Sequence, residues 1–82
     1  MAKKVYVIEC RELVSPGQID VTVAFVASSL SKAEELIKKN VDFSYADRWW
    51  WAVYPVLIDS EDVLDEIHFY DREGNKIDKQ PV

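Results

Sequence analysis

The sequence predicts a single α+β domain of order β-β-α-β-β-β, a mostly antiparallel sheet with strands ordered 2-1-3-4-5 and one helix on one face. Three observations predict it. Ile19 to Val26 alternates apolar and polar side chains behind a Ser15-Pro16-Gly17-Gln18 turn. Lys32 to Asn40 carries apolar residues at helical spacing. Arg48 to Ile58 holds all three tryptophans, consecutively, in an aromatic and β-branched run. The 82 residues are enough for one domain, 1–82, with a core that is only marginally stabilising.

The first strand is read from Val5-Tyr6-Val7-Ile8-Glu9-Cys10-Arg11, with Tyr6, Ile8 and Cys10 on one face and Val5, Val7 and Glu9 on the other. In the turn that follows, proline presets the φ of the second position and glycine allows the positive φ of the third. Ile19, Val21, Val23 and Phe25 then share one face of strand 2, which forms a hairpin with strand 1. Ser31 and Glu34 match a capping box at the helix start, and Leu30, Ala33, Leu36 and Ile37 make its apolar face. Lys38 and Lys39 suit the helix dipole, and Asn40 suits a left-handed close.

Val41 to Asp47 is a loop with Phe43 and Tyr45 as lid residues. The tryptophan strand follows, and Pro55 ends it, bulges it, or lies where it runs past its neighbour. Ser60 caps a single helical turn that sends Val63 and Leu64 inward. Ile67 to Tyr70 and Asn75 to Ile77 are short strands joined by an Asp71-Arg72-Glu73-Gly74 hairpin turn, and residues 78–82 fray. If strand 1 runs up, strand 2 runs down, the helix returns the chain, and the tryptophan strand runs down beside strand 1. Placing it parallel beside strand 2 would need a right-handed crossover instead.

The tryptophan strand also suggests where function lies. Trp49, Trp51, Val53 and Leu57 fall on one face, and Trp50, Ala52, Tyr54, Val56 and Ile58 on the other. Neither face alternates with polar residues, and Arg48 is the only charge. One helix covers one face. The second is covered either by the chain itself, under a curled sheet or long loops, or by a partner. On the partner reading, Trp50 and Tyr54 are anchors, since two covered aromatics contribute roughly 8–12 kcal/mol before association costs. Arg48 and the acidic segment with Asp59, Glu61 and Asp62 form a polar rim, and His68 and Tyr70 point to the same outer face.

Composition narrows the classes. The net charge of −5 opposes nucleic-acid and anionic-membrane binding, which need clustered Lys and Arg. The apolar run Val5 to Ile8 is too short for a secretion signal, and no stretch approaches a membrane span. A lone Cys10 makes no internal disulfide, which fits the cytoplasm. Gly17 and Gly74, the only glycines, sit in turns, so there is no phosphate-cradling loop. His68 and Cys10 lie on strands with no spacing that pairs them as base and nucleophile. The acidic segment matches a calcium loop only at Asp59 and Glu61. No catalytic motif, metal site or cofactor is implied.

Phe25 to Asn40 resembles a passage of small bacterial and phage proteins of no assigned activity, in which a strand ending in Ser-Ser leads into a "KAEE-L-I" helix and then an aromatic strand. The resemblance covers about the middle half of the chain and implies a small sheet-plus-helix fold and no activity.

The expectation is a non-enzymatic protein-binding or inhibitor module with an aromatic sheet face, of adaptor, toxin-neutralising or phage anti-defence type. Self-association as a homo-oligomer is a further way to cover that face. The alternative is a small-molecule binder, an oligomeric sponge for a nucleotide-like signal, in which an aromatic ring stacks on the base and Arg48 and Arg11 meet its phosphate.

Overall fold

A computed structural model describes residues 3–82. It contains β1 (Lys4–Ser15), β2 (Gln18–Ala27), α1 (Leu30–Lys39), β3 (Trp49–Leu57), β4 (His68–Tyr70) and β5 (Lys76–Ile77). The strands form one sheet in the predicted order, β2-β1-β3-β4-β5, and every neighbouring pair is antiparallel. The long middle strands β1 and β3 pair without a break from Lys4–Leu57 to Glu12–Trp49. Pro55 does not interrupt this ladder. It lies beyond Val53, where pairing with β4 stops, so that side of β3 has no strand waiting for its missing N–H.

Helix α1 packs Ala33 and Ile37, both fully buried, against a core containing Ile8, Cys10, Trp51 and Val53. Its N-cap is Ser29, not Ser31: the Ser29 hydroxyl accepts from the Lys32 amide at 3.2 Å. The third helical position is therefore Lys32, and Glu34 closes no capping box. At the other end Asn40 has φ −127, not the left-handed value, and its side-chain amide donates to the Leu36 carbonyl at 2.8 Å. Gly74 does take positive φ, and a Cβ there would lie 3.2 Å from Lys38, so the last hairpin turn sits tightly against the helix end.

The largest departure from expectation is in β2. Phe25 pairs with Ile8 and Val23 with Glu9, so Ala24 is an extra residue, a β-bulge. The bulge turns the strand over. Phe25 faces the core and stacks near Trp51 at 6.4 Å, while Val21 and Val23 face the other side with Glu9 and Arg11. The expected shared face of Ile19, Val21, Val23 and Phe25 is therefore split.

Two further expectations fail locally. Residues 61–67 form no helical turn, and Val63 is 91% exposed. The Ser60 hydroxyl instead accepts from the Asp62 amide, and Asp59 takes φ 60. Residues 78–82 fold back toward the sheet rather than leading away: Arg11 donates to the Gln80 side-chain oxygen at 2.9 Å.

Candidate functional site

All three indoles are covered by the chain itself. Trp49, Trp50 and Trp51 are 4%, 1% and 0% exposed. Trp49 and Trp51 lie on the helix side, edge to face at 5.3 Å, with Phe43 also 5.3 Å from Trp51. Such tilted contacts set a ring's positive edge against a negative face. Phe43 thus acts as the lid that its loop position suggested, whereas Tyr45, expected to share that role, is fully exposed and covers nothing. Trp50 lies on the outer face, directly across the ladder from Arg11. The expectation that Trp50 is an open anchor is corrected: at Trp50 the strand's second face is closed by Arg11 and by the returning segment, whose Pro81 and Val82 border the same cavity, while Val56 farther along stays 38% exposed.

Tyr54 sits in the polar centre of that outer face. Glu9, 8% exposed, accepts from the Tyr54 hydroxyl at 2.8 Å and from Arg11 at 2.8 and 3.0 Å. Arg11 also lies 5.8 Å over the Phe69 ring. Burial first, and the Glu9 carboxylate second, push the Tyr54 phenol up. Glu9-x-Arg11 places opposite charges two residues apart on one strand face, and that spacing was the signal for this pair in the sequence. Its partners Tyr54 and Gln80 lie 45 and 69 residues away, with no local signal.

The proposed polar rim does not assemble. Arg48 precedes the start of β3 and Asp59, Glu61 and Asp62 follow its end, about 30 Å away along a strand of this length. His68 and Tyr70 do share a face, but it is the helix side, because they pair with Val53 and Trp51. His68 meets Glu66 at 2.6 Å, and that hydrogen bond holds the Glu66 carboxyl below its ordinary range. Tyr70 is buried and donates to Glu34 of the helix at 2.7 Å; burial and that carboxylate raise its phenol. Cys10 is buried in the core, and desolvation, aided by Glu12, pushes its thiol up to about 11. Such a thiol is a poor nucleophile.

One cavity of about 270 Å³ opens at the end of the sheet, bordered by Arg48, Trp49, Trp50, Arg72 and Val82 among others. It brings Arg48 to Trp50, as a stacking site would require. It also holds Asp47, Asp71 and Glu73, which oppose a phosphate. Among the described residues, no group of three or more His, Cys, Asp or Glu is placed to hold a metal ion, and no helix is long and apolar enough to cross a membrane.

The surface left uncovered lies on β2. Val21, Val23 and Val26 are 52%, 58% and 58% exposed. Val21 and Val23 share the outer face with Ile19 and Leu13, and Val26 stands there opposite Val7. This aliphatic strip puts three exposed apolar side chains on one strand face, where the tryptophan strand has only Val56 exposed to a like degree, and the bulge at Ala24 puts Val21 and Val23 there.

The burial of Trp50 makes a direct prediction. Acrylamide should quench the fluorescence of the intact chain weakly at all three tryptophans. Deleting residues 78–82 should create one newly quenchable tryptophan. Strong quenching of the intact chain would show that the outer face is open after all.

No family model, no curated protein and no solved structure matches this chain.

Proposed function

We propose that this chain is a non-enzymatic protein-binding module whose contact surface is the outer face of β2. The observation that carries the reading is the row of half-exposed valines, Val21, Val23 and Val26, on one strand face, while the other exposed apolar side chains, Val14 and Val56 apart, stand in loops and the tryptophans are covered. Exposed aliphatic strips of this kind, adjoining polar groups that are already satisfied, are the usual mark of contact with another protein. The fit is to a flat aliphatic protein surface. Glu9, Arg11 and Tyr54 border the strip but bond one another, so they shape the rim and present little unpaired charge. A buried reduced Cys10 fits action in the cytoplasm. The acidic segment, 59–66, lies exposed for the most part and links β3 to β4, on the side of β3 away from β2, and takes no part in it.

A photo-reactive amino acid at Val23 tests the reading, with one at exposed Lys76 on β5, at the opposite edge of the sheet, as control. Irradiation in the native host should give a discrete adduct with another chain, a different protein or a second copy, from Val23 and none from Lys76. Matching adducts from both positions, or none from Val23, would remove the surface.

A further inference from the structure

We infer that the β2 edge takes a second copy of this chain, joining two sheets into one continuous antiparallel sheet about a two-fold axis through Val21. The inference rests on the reading of β2 as a contact strand and adds the occupant of its edge and the register, the joined outer strip of valines staying open to a further partner.

Strand β2 is an edge of the sheet, paired only with β1. Its free side presents unsatisfied backbone donors and acceptors. Edges are ordinarily protected by lysine, proline, an inward-pointing charge, a bulge, short length or a covering loop. Here the strand runs ten residues with no lysine and no proline; its bulge at Ala24 lies beyond the stretch that pairs, and Asp20 is its only charge. Of Gln18 to Val23, the regular stretch before the bulge, all but Ile19 are exposed. The edge is therefore long enough to pair and nothing of the chain covers it.

Register follows from side-chain chemistry. In antiparallel pairing about a two-fold axis, directly opposed residues lie on the same face, so the axis runs midway between the two copies of a single residue. Centring on Asp20 would set two carboxylates directly opposite, which is destabilising. Centring on Thr22 would oppose Ile19 to Phe25, which the bulge has turned to the other face. Centring on Val21 avoids both. Val21 then meets its own copy, Ile19 meets Val23, and Asp20 meets Thr22, whose hydroxyl donates to the carboxylate. The outer valines of both copies join into one strip. The two Asp20 groups become diagonal neighbours about 7–8 Å apart. That residual repulsion makes the pairing stronger with added salt.

Cysteine placement tests both occupant and register. With Val21→Cys, the two introduced thiols lie across the axis within disulfide reach, so mild oxidation should link two chains. With Val23→Cys, four residues of strand separate the thiols along the axis, about 13 Å, so no link should form. Wild type is the blank, because Cys10 is buried. Sedimentation of wild type should show a dimer, weakened at least about tenfold by Val21→Lys and tightened by Asp20→Asn. A wild-type monomer at every concentration overturns the inference, as does equal linking through both positions. If the chain is monomeric while Val23 still captures another protein, the occupant is wrong and the contact surface stands. If both experiments are blank, both readings fall.

Discussion

Replacing Trp51 with alanine is expected to cost about 3–5 kcal/mol of folding free energy, the usual range for emptying a large buried aromatic site. The ring has no solvent contact and is ringed by Trp49, Phe43 and Phe25, so its loss opens space in the middle of the sheet's helix side. A domain this small has only about 3–5 kcal/mol to lose. The variant should therefore be largely unfolded at room temperature by far-ultraviolet circular dichroism. Trp51→Phe should cost far less, about 1–2 kcal/mol. It keeps a ring, and it removes an indole N–H that has no acceptor, as is true of all three tryptophans. Trp50→Ala is the discriminating variant. An open contact residue would be nearly neutral, whereas a packed one should cost about 2–4 kcal/mol in urea unfolding, lessened where the segment 78–82 settles into the gap. A cost below about 1 kcal/mol would mean that the outer face is not closed.

The strand order was legible because each turn carries its own chemistry. Pro16-Gly17 fixes the first hairpin, Gly74 fixes the last, and a helix between strands 2 and 3 lets β3 return beside β1. What was not legible was which way side chains point beyond a single inserted residue. Ala24 has nothing in its type or neighbours that marks a bulge, yet it moves Val21 and Val23 from core to surface. The same limit applied to Trp50. The two-sided apolarity of β3 is plain in its residues, but the choice between self-covering and a partner depends on Arg11 meeting Gln80 across most of the chain. A helix start at Ser29 instead of Ser31 is a smaller case: the Ser31–Glu34 spacing points to the later serine, but the earlier one caps and places Leu30 inside the first turn.

Arg11→Ala is expected to cost about 2–3 kcal/mol, more than a surface ion pair, because it strands a carboxylate that is almost fully buried. Glu9 would keep only the Tyr54 hydroxyl, and Gln80 would lose its anchor. The range is set below that for fully buried pairs because the Arg11 side chain keeps a fifth of its surface in water. Glu9→Ala removes the charge at its source, so Glu9→Ala with Arg11→Ala should cost less than the two changes added together, by about 1–3 kcal/mol of coupling. Urea unfolding of the four proteins measures that coupling, and additive costs would show that the pair does not act as a unit. Replacing the pair together, with Glu9→Leu and Arg11→Met, separates stability from geometry. Apolar substitutes for a buried pair are often neutral, and methionine keeps a flexible stem near Phe69. Stability should then change little, yet Trp50 should become accessible to acrylamide, because nothing in the variant holds Gln80. Unchanged shielding would place the cover of Trp50 in Pro81 and Val82 alone, and would leave the ion pair with no part in closing the face.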